Sequence, residues 1–412
     1  MTTFNKKTLA ALVGGAVLAT AGAANAAVIV GGDNGWEVSF DGNVNQFYVY
    51  SDVDKANSKG NSDFLMGEPD EKTSRIRNGL LPAFFSFNVK APTTNGLDMG
   101  ARISFAPTTN SASAKQQFHA NGNGLAGSGI DLREVFFTVD GSFGQVLMGR
   151  TLSLFQGKAI LNDQTLFGVG AAGAPTGGGT TLGRIGYGYT YPNFNSQIRW
   201  TSPDLSGFKI ALAAFDPSTI DGAINGNVVE SPRWEGELSY AGAFENGSFQ
   251  LWGSAMQQDV DSTTAGARDL DINGYNIGAT LGVAGFDFMA SWYDGEGIGG
   301  ALTFTDLGDI VGADGKELDA DGYIVQGAYT FGGATKLALS YGESGTDDSG
   351  AVNAGGYNSS VDNRNATVLG LYHDVNANLK LVAEYSRLET EWHGNGGDQS
   401  ADIFGLGGFF FW

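Results

Sequence analysis

Residues 36–50 read WEVSFDGNVNQFYVY, and this stretch decides the fold. Its even positions hold Trp36, Val38, Phe40, Gly42, Val44, Gln46, Tyr48 and Tyr50. Its odd positions hold Glu37, Ser39, Asp41, Asn43 and Asn45, and turn apolar at Phe47. Side chains alternate between faces along a β-strand, so one face of this segment is greasy and the other wet. The same period of two runs through 97–105, 208–214, 275–283 and 336–341.

A soluble sandwich would also alternate, so the connections have to discriminate. Short ones fall at 91–96, 140–144, 203–207, 242–246, 285, 332–335 and 375–378. Long ones fall at 51–71, 107–129, 151–193, 216–230, 258–271, 295–320, 344–363 and 389–400. Long and short connections in strict alternation on an even number of strands are the pattern of a membrane barrel. The expected fold is all-β: one 16-stranded antiparallel transmembrane β-barrel over residues 27–412, with long outer loops and both ends on the short-turn side. Two places break phase. Near Ala83–Phe85 the apolar parity shifts, which predicts a bulge. Arg133 shares parity with Val135 and Phe137, which predicts a strand covered on both faces, as at a subunit contact.

Composition agrees with lipid as the solvent of one face. Aromatic residues make up 12% and charged residues only 16%, an unusual balance for a soluble exported chain. Without cysteine there is no disulfide framework, so backbone pairing and packing must hold the fold. A formal charge of −21 argues against nucleic acid, whose binders carry basic stripes. Residues 1–26 read as a signal peptide. Lys6 and Lys7 precede an apolar run from Leu9 to Ala21, and Ala24-Asn25-Ala26 is a small-x-small cleavage site before Ala27. That run falls short of the roughly 20 residues a membrane helix needs.

Four places carry a family likeness, one of them the signal peptide with the first strand, which fit the family's start. Residues 404–412, FGLGGFFFW, 133–150, REVFFTVDGSFGQVLMGR, and 195–208, NSQIRWTSPDLSGF, resemble the Gram-negative general porins. The likeness implies a final strand read by the barrel-assembly machinery, with Gly407, Phe410 and Trp412 at its signal positions. It implies that the third long loop, which follows Gly149-Arg150, folds into the pore. It implies homotrimers in a bilayer with lipopolysaccharide, passive diffusion of small polar solutes and ions, and no cofactor. The third loop departs from the family pattern in having no dense acidic cluster.

Enzyme signatures are weak. His119, His373 and His393 have no metal-ligand spacing. The G-x-G-x-x-G at 168–173 sits in a loop and not in a strand–turn–helix unit. Asp269 opens a calcium-like loop whose twelfth position is Thr280, where glutamate is required. The informative set is basic. Arg75, Arg77 and Arg102 fall on wet parity, as does Arg199; Arg150 ends a strand, and Arg133 resembles a pore-wall arginine by position. With Lys158 and Asp163 of the third loop they form the expected pore constriction. Opposed charges across a narrow lumen create a transverse field that orients dipoles and ranks ions. With acidic loops outside, weak cation preference is expected. Trp36, Tyr48, Tyr50, Phe410 and Trp412 are candidates for the aromatic girdles. Two alternatives stand beside this reading. One is a channel selective for a sugar or anionic nutrient, with an aromatic track drawn from Phe155, Phe167, Tyr187, Tyr189 and Tyr191. The other is a structural or adhesive surface barrel.

Overall fold

A computed structural model describes residues 28–412 except 64, 67–71, 110–129, 174–178, 219–226, 229–230, 263–267, 302–309 and 314. The expected signal peptide and His119 lie outside the described residues. Sixteen antiparallel strands close into one barrel. They are β1 (Glu37–Asp54), β2 (in two pieces, Thr73–Arg77 and Phe84–Lys90), β3 (Asp98–Pro107), β4 (Ile130–Gly141), β5 (Gly144–Leu152), β6 (Phe194–Thr201), β7 (Phe208–Phe215) and β8 (Arg233–Phe244). The second half comprises β9 (Gly247–Ser262), β10 (Leu270–Val283), β11 (Phe286–Glu296), β12 (Asp319–Phe331), β13 (Thr335–Thr346), β14 (Val361–Asp374), β15 (Leu379–Trp392) and β16 (Asp398–Phe411). Each strand pairs with the next, and β16 pairs with β1 from Ser400↔Asp54 to Phe411↔Asn43. Closure leaves no open edge in the hydrocarbon layer, where an unpaired peptide group is costly. A short strand, Val28–Gly31, adds to the lower end of β1, and a two-residue strand, Asn227–Val228, extends the wall beside β9.

Alternation holds around the wall. On β10, Tyr275 and Ile277 are exposed while Ile272 and Asn276 are buried. On β15, Leu381 and Tyr385 face out while Val382 and Glu384 face in. The outer band of exposed Leu, Ile, Val and aromatic side chains would be unfavourable in water and suits acyl chains. Trp36, Tyr48 and Phe410 are on this exposed surface; Tyr50 and Trp412 are half-buried beside Phe404 and Phe410.

Three departures from the sequence reading have physical causes. The phase shift near Ala83 is a full interruption and not a one-residue bulge. Asn78 to Ala83 leave the ladder and are buried, held by Asn45, whose side chain accepts from the Gly79 amide and donates to the Leu81 carbonyl. The Arg133 anomaly comes from a bulge, because the β3–β4 register slips between Ser104 and Ala106. It therefore needs no second protein surface. Several hairpins also run further than expected. β9 and β10 pair up to Val260↔Leu270, within a segment whose polar outer face reads as loop. Polar residues facing out above the lipid band keep strand pairing while hiding the apolar period.

Candidate functional site

The third long connection is described over 153–173 and 179–193. It begins with a helical turn, α1 (Gly157–Asn162), and a 3₁₀ turn, Gln164–Phe167. Asp163 caps the second turn by accepting from the Thr165 amide at 2.9 Å. The glycines that mimic a dinucleotide motif are there for close approach. A side chain on Gly168 would strike the Glu384 carboxylate, and Gly170, at φ 57°, lies against Gly183 backbone.

The segment is tied to the wall at many points. Glu384 on β15 accepts from the amides of Val169 and Gly170 and from Tyr372 Oη. Gln326 on β12 accepts from the Gln164 amide at 2.7 Å. Arg184, fully buried, donates to Ser340 Oγ on β13 at 2.5 Å and to the Ala366 carbonyl on β14 at 2.8 Å. Glu235 on β8 accepts from the amides of Leu154 and Phe155. Arg77 on β2 donates to the carbonyls of Gly179 and Thr180, each at 2.8 Å. Phe155, Tyr187 and Tyr189 are wholly buried, so they pack the loop and do not form a solute track; of the five aromatics, only Phe167 and Tyr191 keep exposed surface. Tyr189 Oη donates to Asp163 at 2.7 Å. Burial and the neighbouring Asp163 push the Tyr189 phenol well above its ordinary range, so it remains a donor. Burial also pushes the Asp163 carboxyl up, against the pull of Arg184 and the Thr165 donors.

The expected constriction residues fall into separate groups. Arg75 and Arg77 stand on the lumen parity of β2, opposite Val49 and Phe47. Arg102 does not join them. Its guanidinium holds Asp41 with two nitrogens at 2.8 and 3.0 Å, Glu134 at 2.7 Å, Asn88 at 2.8 Å and Ser86 at 2.9 Å. Asp41 is six residues below Phe47 on β1, roughly 20 Å along the wall at about 3.3 Å per residue. Arg133 pairs with Asp131 at 2.8 Å and lies over the Phe194 ring. Arg150 is on the outer parity, since Leu147 is buried inside and Met148 and Arg150 alternate outward with it. Lys158 lies 3.3 Å from Glu237 on β8, and Arg199 on β6 feels both Glu237 and Glu235. Asp163 is buried within the loop and does not line a passage. The sequence reading places Asp41 on the wet face but misses Glu134, Glu235, Glu237, Asp63 and Glu384, the other acidic partners of this network. All but Asp63, in the first long loop, share the lumen parity of their strands, the one signal that could have found them.

A closed barrel with an apolar outer band and an inner face of paired charges is the architecture of an outer-membrane channel. The chain belongs to the Gram-negative porin family, whose sequence model matches residues 8–393, and it resides in the outer membrane. No curated protein sequence matches it. Among solved structures it is similar to the outer-membrane channel DcaP of Acinetobacter baumannii, with 15% identity, TM-score 0.66, and coverage of 92% of this chain and 99% of that one. An anion-selective porin from Comamonas acidovorans matches with 15% identity, TM-score 0.59 and coverage of 92% and 100%. The trimer form of OmpT from Vibrio cholerae matches with 14% identity, TM-score 0.52 and coverage of 92% and 100%.

Proposed function

We propose that this porin is a passive, homotrimeric channel for small hydrophilic solutes and ions, narrowed by its third long loop and weakly selective for cations. The observation that carries the selectivity is the pairing of lumen cations. Arg102, Arg133, Lys158, Arg233, Arg364 and Lys380 each lie against a carboxylate, at 2.5–3.3 Å. Each of these pairs is close to neutral and excludes neither sign. The excess acid of the chain lies elsewhere. Asp294, Glu296, Asp319 and Asp347 crowd the outer ends of β11–β13 closely enough to repel one another. Negative potential at the mouth gathers cations at low ionic strength and is screened within about 10 Å near 0.1 M salt. The trimer rests on the form in which the Vibrio relative was solved. Reversal potentials of the reconstituted protein in a salt gradient test this reading.

A further inference from the structure

Between the third long loop and the interruption of β2 lies a cavity of about 340 Å³. Most of its wall is apolar, from Leu80, Leu81, Leu152, Ile160, Leu166 and Ile185. Among the described residues its charged ones are Arg133 and Glu134, neighbours on β4. A regular strand would send one of these two outward. The register slip opposite Ser104 and Ala106 brings both to the same cavity. Neither charge is in excess, since Asp131 holds Arg133 and Arg102 holds Glu134. The result is a greasy space of molecular size with a donor and an acceptor side by side on one wall and, among the described residues, no net charge.

That combination selects its occupant. Apolar cavities of even about 150 Å³ take up a benzene-sized body. A ligand carrying net charge would lose part of its water there with no spare counter-charge among the described residues. A hydroxyl group, by contrast, can donate to the Glu134 carboxylate and accept from the Arg133 guanidinium at once. We propose that this cavity is a binding site for a small uncharged aromatic alcohol of the alkylphenol class, with the ring among the leucines and the hydroxyl toward Arg133 and Glu134. The site is additional to passive diffusion and does not depend on the ion selectivity proposed above.

The test is calorimetry on the folded full-length barrel in lipid nanodiscs, with 4-ethylphenol as probe and 4-ethylbenzoate as its charged counterpart. Saturable binding of 4-ethylphenol is expected, with 4-ethylbenzoate weaker by about tenfold or more. Ile160→Trp, or Leu152→Trp if the first variant fails to fold, fills the space and should abolish saturable binding. Nuclear Overhauser contacts from the probe's ethyl group to the methyls of Ile160 and Leu166 give a readout that needs no variant. Absence of saturable binding to the wild type, tighter binding of 4-ethylbenzoate, or absence of those contacts would overturn the proposal.

Discussion

Lys158 Nζ lies 3.3 Å from Glu237 Oε1, joining the helical turn of the third long loop to the wall at β8. Both side chains keep some exposure, so the pair is in contact with solvent. Glu237→Gln should leave Lys158 uncompensated and shift the reversal potential toward anions; Lys158→Gln should shift it the other way. A unit charge about 5 Å from an ion in water is worth roughly 0.8 kcal/mol, so the permeability of each ion should change by up to about fourfold, in opposite directions for cations and anions. Paired measurements on the two variants check the sign, and shifts in the same direction would remove this pair from the ion path.

Arg102 serves as a clamp more than as a selectivity charge. It ties Asp41 on β1 and Glu134 on β4 through β3, and the Glu134 side chain is only 2% exposed. Arg102→Ser should cost about 3 kcal/mol or more, because it strands a buried carboxylate. The barrel should then unfold at lower temperature in a heat-modifiability gel. An unchanged transition would mean water replaces the guanidinium without penalty.

Arg77 anchors the loop from the opposite wall through the carbonyls of Gly179 and Thr180. Arg77→Ala should remove both charge-assisted bonds, worth about 1.5–3 kcal/mol each. Larger and noisier single-channel conductance is expected, with little change in barrel melting. Conductance identical to wild type would separate this anchor from the constriction.

The final strand joins assembly to packing. Gly407 has no room for a side chain, because Gln46 backbone and the Phe47 ring occupy the space. Phe410 points outward beside Trp412. Trp412→Ser should lower outer-membrane levels and leave unfolded chain in the periplasm, measured by fractionation. Normal levels of folded barrel would count against an assembly role for this residue.

The strand count and the alternation of loops were legible because each rests on local patterns of period two and on runs of Gly, Asn, Ser and Asp. The site was less legible because its chemistry is made across strands. Arg102 reads as a free lumen charge until the register brings Asp41 and Glu134 beside it. The interruption at Asn78 to Ala83 was visible only as a parity change, since residues that leave a ladder carry no periodic signal. Arg150 looked inward because it ends a strand next to the loop, and simple alternation from buried Leu147 turns it outward.

The most direct test of the account is the reversal potential of the wild-type channel across a salt gradient, measured at low and at high mean ionic strength. Acidic loops around a wall of paired charges predict a small cation-selective potential at low salt that fades as salt rises. An anion-selective potential at low salt, or a barrel that conducts no ions, would contradict it.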